Sequence, residues 1–240
     1  MPSISLDTLL TVLGQGEIEI RGLLPYGSNY TFLVTIAQAD YKVLGVYKPI
    51  KGERPLWDFP EETLALREVA AFLVSENLGW DFVPPTVYRD GPHGPGSLQW
   101  FIDAEPELHY FNMPEAEKPA LRRTALFDLL INNADRKGGH VIKDKQGKIW
   151  LIDHGLCFHN EPKLRTVIWD FAGQPIPGDL LGDLRSFRTR LDSDDNLVEA
   201  INTLLSAREV AALKRRADRL LKNGCFPDPG PGRNFPWPPV

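Results

Sequence analysis

Hydrophobic periodicity changes once along this 240-residue chain. Up to about Ile102, apolar residues fall at alternate positions in short runs. From Asp103 onward they recur at helical spacing. Side chains alternate across a strand but repeat every 3.6 residues around a helix, so the two halves must bury their apolar faces differently. The pattern predicts an α+β architecture of two lobes with a cleft between them. Residues 1–102 would form a β-rich N-lobe and residues 103–226 a helical C-lobe. Residues 227–240, rich in proline and glycine, would be an extended or disordered tail.

Within the first half, Leu6 to Leu13 predicts an opening helix. Gly16–Leu23, Tyr30–Ile36 and Tyr41–Pro49 predict three antiparallel strands joined by short turns. A polar, proline-rich loop covers Ile50 to Pro60; its Trp57 and Phe59 are expected to pack into the core or between the lobes. Leu64 to Leu78 follows as a helix stopped by Gly79, and Val83–Val87 and Ser97–Ile102 complete five strands. Helices are expected over Glu115–Asn132, Asp179–Leu191 and Leu197–Asn223.

Net charge is −5 and the only basic block is Lys214-Arg215-Arg216, so no nucleic-acid partner is expected. No run approaches the ~20 apolar residues of a membrane span and no cationic leader is seen at the N-terminus, so a cytoplasmic location is expected. Cys157 and Cys225 offer neither a disulfide framework nor metal spacing.

Two acidic turns carry the chemistry. Asp135 ends Ile131-Asn132-Asn133-Ala134, and Asp153 follows eighteen residues later at the end of Trp150-Leu151-Ile152. Between them, Val141-Ile142 and Lys148–Ile152 flank Lys145-Gln146-Gly147 and predict a short hairpin that brings both carboxylates to one site. One carboxylate beside a reacting hydroxyl and a second on Mg²⁺ is what phosphoryl transfer requires. Asp135 would act as general base, and Arg136 would support its turn by pairing with a local carboxylate. His140 stands where a second metal ligand is wanted; the alternative is that it bonds the phosphates or the Asp153 carboxylate without touching metal. A zinc hydrolase using His140, Asp153, His154 and His159 lacks the usual ligand spacing.

Further groups belong to the same reading. Lys48, on the face shared by Val46 and Leu44, needs anionic partners, which ATP phosphates and Glu68 would supply. Ser28 and Asn29, in the turn after the first strand, would let backbone N–H groups approach phosphate. Gln99, Trp100, Phe101 and Ile102 lie where an interlobe connection would hold adenine.

Gly-Val-Tyr-Lys-Pro, Arg-Glu-Val-Ala-Ala-Phe-Leu, Val-Pro-Pro-Thr, Ser-Leu-Gln-Trp-Phe-Ile, Asn-Asn-Ala-Asp-Arg-Lys-Gly-Gly-His and Leu-Ile-Asp-His-Gly-Leu-Cys-Phe occur in that order between Ile18 and Ile176. This series resembles the phosphatidylinositol 3-/4-kinase-like superfamily, most nearly its type II phosphatidylinositol 4-kinase-like branch and small actinobacterial-type relatives. The resemblance implies a bilobal protein-kinase-like fold with ATP between the lobes. It places Lys48 on the phosphates, Asp135 in the catalytic loop and Asp153 in the metal-binding turn. Mg²⁺ is the expected ion, with Mn²⁺ as the alternative. Family members usually carry Asn in place of His140 and Phe or Asn in place of His154. The type II cysteine-rich segment is absent between Met1 and Leu156, so lipid specificity is not carried over.

The expected function is therefore an ATP- and metal-dependent kinase acting on a hydroxyl of an unidentified acceptor: a protein, a small alcohol or a lipid headgroup. A nucleotide-binding pseudokinase and a nucleotidyl transferase on the same scaffold are the alternatives. The sequence leaves the acceptor and the oligomeric state open.

Overall fold

Alternating residues in the N-terminal half pair into a five-stranded antiparallel sheet. The computed structural model describes residues 4–24, 30–105 and 108–240. Helix α1 (Leu6–Gln15) leads into strands β1 (Glu17–Leu23), β2 (Phe32–Gln38) and β3 (Tyr41–Pro49), then helix α2 (Leu64–Asn77) and strands β4 (Thr86–Gly91) and β5 (Gly94–Trp100). Strand order is β1-β2-β3-β5-β4. Val34, Ile36, Tyr47 and Leu98 face α1 and form one small core with Leu9, Val12 and Leu13. The opposite face carries Leu44, Val46 and Lys48 and stays partly open to the cleft, which the alternating burial along β3 records.

Strands β4 and β5 depart furthest from the sequence expectation. Pro84 and Pro85 cannot donate to a ladder, so β4 starts only at Thr86. Strand β5 starts earlier and ends at Trp100, which leaves Phe101 and Ile102 in the connection between the lobes. That connection is pinned by Phe101 N–H to Leu44 O (3.0 Å) and Glu105 N–H to Lys143 O (2.9 Å). Trp100 also meets Trp150 edge-on, with ring centroids 5.8 Å apart.

The second half contains α3 (Arg122–Ile131), the hairpin β6 (Val141–Lys143) and β7 (Ile149–Leu151), then α4 (Gly178–Ser193), α5 (Asp195–Leu204) and α6 (Ala207–Asn223). α3 begins later than its periodicity suggested, because a 3₁₀ turn over Lys118–Leu121 containing Pro119 precedes it. The expected helix over 197–223 is two helices. Leu205 is extended, and Ser206 restarts the chain through a capping box with Glu209. The large apolar core joins these helices to Phe72, Val74 and Leu78 of α2.

Residues 227–240 contain neither helix nor strand. They lie against the C-lobe: Asn234 O accepts from Thr166 N (3.1 Å), and Pro239 O accepts from Gly138 N (2.8 Å). Trp57, expected to be packed, is 93% exposed, because its loop turns Phe59 inward in its place, with Leu56 half-buried beside it. Phe59 lies under the Arg67 guanidinium, 5.1 Å from ring centroid to Cζ.

Candidate active site

A lysine on an open strand face needs anionic partners, and Lys48 has two. Its Nζ donates to Glu68 Oε1 of α2, and to Asp153 Oδ1 at 3.0 Å. Burial pulls the Lys48 ammonium toward neutrality, but the Asp153 and Glu68 charges overcome it, and its pKa is raised. Glu68, itself buried, uses its second oxygen to accept the backbone N–H of His154 at 2.9 Å. One carboxylate thus holds both the strand lysine and the turn that follows Asp153.

Asp153 adopts left-handed backbone geometry, with φ 61°. Few non-glycine residues do so, though aspartate tolerates it, and such geometry concentrates at functional sites. The Lys48 charge beside it holds its carboxyl well below the usual carboxylate range. The hairpin behaves as expected: Val141 pairs with Leu151, and Ile152 N–H bonds His140 O at 3.0 Å. His140 Nε2 lies 3.3 Å from Asp153 Oδ2.

For His140 both a ligand role and a contact with Asp153 were expected, and its surroundings bear on the choice. The Lys137 backbone N–H points at Nδ1 (3.4 Å), so Nδ1 accepts. In a neutral ring the proton then sits on Nε2 and faces Asp153. Burial holds the imidazole neutral, lowering its pKa to about 4 despite Asp153. In this tautomer the Nε2 proton lies beside the Asp153 carboxylate, and direct ligation would require that proton to move.

Asp135 is placed by the end of α3. Asn132 turns left-handed (φ 55°, ψ 52°) at the C-cap, and Asn133 Oδ1 accepts the Asp135 backbone N–H at 2.9 Å. Burial raises the Asp135 carboxyl to about 6; Lys137, with Nζ 3.5 Å from Oδ2, opposes that rise and the Asp153 charge adds to it. A carboxylate that titrates near neutrality suits a general base. A Cβ at Gly138 would lie 2.6 Å from the half-exposed Phe111 ring, which would have to move aside.

Arg136 does not reach the cleft. It is fully buried, donating from Nε to both Asp128 oxygens (3.1 Å each), from an outer nitrogen to Ile152 O (3.1 Å), and from the other to His154 Nε2 (2.8 Å). It braces the Asp135 loop against the Asp153 turn rather than meeting a substrate. Sequence reasoning missed its partner Asp128, although an aspartate inside Ala125-Leu126-Phe127-Asp128-Leu129-Leu130 was a visible anomaly on an apolar helix. Asn133 and Lys137 were missed as well. His154, also fully buried, has its pKa held well below the ordinary value by burial and by Arg136.

The connector residues are largely committed internally. Gln99 Nε2 donates to Thr86 Oγ1 (2.9 Å), Trp100 N–H to Pro85 O (2.8 Å) and Ala104 N–H to Ile102 O (2.9 Å). Ser28 and Asn29 lie outside the described residues. Cys157 is fully buried and its thiol is pushed far up by burial, as an inert packing residue should be.

The metal site is tested by its donors. Asp153 is ionised and its side chain half exposed, which fits a hard cation. Among the described residues no third His, Cys, Asp or Glu joins it and His140. Remaining ligands would come from phosphate oxygens and water, the usual state of Mg²⁺ in nucleotide enzymes. Also among the described residues, no helix is long and apolar enough to cross a membrane.

No family model matches the sequence. Protein Rv2133c of Mycobacterium tuberculosis is 40% identical, over 95% of this chain and 94% of its own length. Phosphatidylinositol 4-kinase gamma 4 of Arabidopsis thaliana is 27% identical over 76% of this chain, which spans only 40% of that protein. The crystal structure of the Golgi casein kinase with Mn/ADP bound superposes with a TM-score of 0.53 at 17% identity, covering 90% of this chain and 74% of that one. The last likeness concerns the fold, which is bilobal and kinase-like. The chain belongs to the family of Protein Rv2133c and is similar in sequence to the plant phosphatidylinositol 4-kinase gamma proteins.

Proposed function

We infer that the protein is an ATP- and divalent-metal-dependent phosphotransferase acting on an acceptor hydroxyl. The observation that carries this reading is the Lys48–Glu68–Asp153 network facing an Asp135 whose carboxyl titrates near 6. Lys48 would bind the phosphates, and residues 99–102 would border the adenine. Asp153, beside His140, would hold the metal, which when bound offsets phosphate charge. Asp135 would orient the acceptor hydroxyl and take its proton as oxygen bonds the γ-phosphorus. The bond to the β-bridging oxygen breaks, and ADP leaves with that electron pair. A lobe boundary near residue 102 is supported by β5 ending at Trp100.

One observation favours a second reading. One Asp153 oxygen is bonded to Lys48 and the other lies 3.3 Å from His140 Nε2, and no third protein ligand stands beside them among the described residues. A module that binds nucleotide without turnover would share this arrangement. ATP labelled separately at the α and γ positions decides. Loss of γ label to acceptor or water, abolished in Asp135→Asn with Mg-ATP binding retained, supports the kinase. Transfer of α label would replace it with nucleotidyl transfer, and tight binding with no release of either label would replace it with the pseudokinase.

A further inference from the structure

Helix α2 carries two adjacent charged residues with different directions. Glu68 faces Lys48 and the Asp153 turn. Arg67, about 100° around the helix, is buried at 1% exposure against the C-lobe. Its guanidinium donates to Cys157 O at 2.6 Å, to Glu209 Oε1 of α6 at 2.5 Å and to Thr63 Oγ1 at 3.2 Å, and it covers the Phe59 ring. Glu209 is held in turn, accepting from Ser206 N (2.9 Å) and Ser206 Oγ (2.7 Å) in the cap of α6. Glu68 therefore grips the start of the metal-binding turn at His154 while Arg67 grips its end at Cys157. Gly155 between them passes close enough that a Cβ would touch Leu64 at 3.4 Å.

In protein kinases the helix bearing the lysine's glutamate partner is a mobile control element. Here the same helix is tied to the C-lobe by a buried, fully occupied guanidinium. We propose that Arg67 and Glu209 are positioning residues that lock α2 in place, so that Glu68 engages Lys48 and the Asp153 turn before any nucleotide arrives. The inference rests on the kinase reading for its purpose, but not for its geometry. A chain built this way is not switched by helix displacement. A buried charge pair is weak evidence for stability but well suited to fixing one arrangement.

The test reads Lys48 directly. Nucleotide-free full-length protein is acetylated with limiting acetic anhydride, and modification of Lys48 is compared by mass spectrometry with exposed Lys42 on the same strand. An ammonium held by two carboxylates reacts slowly, so the parent should label Lys48 at least about tenfold more slowly than Lys42. Glu68→Gln sets the released level. Removing one partner alone risks unfolding, so the informative variant is Arg67→Met/Glu209→Met, in which apolar side chains of similar volume replace the pair. It should raise Lys48 labelling at least about fivefold toward the Glu68→Gln level, with Lys42 labelling and the melting temperature little changed. Labelling of Lys48 at the parent rate in that variant overturns the proposal. A separate arm adds Mg-ATP to the parent: failure to protect Lys48 counts against the kinase reading, while the nucleotide-free comparison still decides the positioning role.

Discussion

Replacing Asp135 by asparagine is expected to stabilise the nucleotide-free protein at neutral pH and to leave its stability unchanged in acid. Burial raises this carboxyl from 3.8 to about 6 in the folded protein. The folded state therefore holds the proton more tightly than the unfolded chain does. The stability Asp135 contributes is fully present below pH ~3.9 and is lost as pH rises through about 6. Asparagine is neutral throughout and can keep the backbone contact with Asn133. Each tenfold change in proton affinity is worth about 1.4 kcal/mol, so the gap between variant and parent should approach a ceiling of about 3 kcal/mol above pH 7. The side chain is 27% exposed, which lowers that figure through solvent screening. For a chain of this size the ceiling corresponds to roughly 6–12 °C in melting temperature. Urea unfolding of both proteins at pH steps from 4 to 8, without nucleotide or metal, measures it. A gap that is constant across the range, or a variant less stable than the parent at pH 8, refutes the argument that Asp135 is held as a strained base.

The same carboxyl sets the acid limb of transfer. Rate should fall about tenfold per pH below pH 6, and Lys137→Met, which removes the cation opposing protonation, should move that limb to higher pH. A limb that stays put in Lys137→Met would assign it to another group; His140, neutral down to about pH 4, is not expected to contribute to it. Asp128→Ala should cost about 3–5 kcal/mol, because it leaves the wholly buried Arg136 guanidinium without its carboxylate; a loss under about 1 kcal/mol in chemical denaturation would show that Arg136 does not depend on the pair. His140→Ala should lower transfer while leaving the Mn²⁺/Mg²⁺ activity ratio as in the parent, since Nε2 carries its proton beside Asp153 and offers no lone pair to an ion; a ratio that falls toward Mg²⁺ would make the imidazole a ligand after all.

Local patterning determined much of this protein on its own. Alternation placed β3 at Tyr41–Pro49 and put Lys48 on the open face, and helical spacing placed α2 with its N-terminus at Leu64. The Lys-Gln-Gly turn between two apolar runs was enough to predict the β6–β7 hairpin, because a hairpin's register follows from its loop; that its ends set His140 beside Asp153 came from the structure. Tertiary structure decided what no local pattern encodes. Arg67 and Glu209 are 142 residues apart, and nothing near either marks them as partners. Asp128 and Arg136 meet only because Asn132 turns left-handed and folds the loop back on its own helix. The direction of the His140 proton depends on a backbone N–H three residues away, and the acidity of Asp135 depends on how deeply the two lobes bury it. Periodicity is a property of neighbours along the chain and can be read there. Burial, charge pairing and tautomer are properties of neighbours in space, and they exist only once the chain has closed around them.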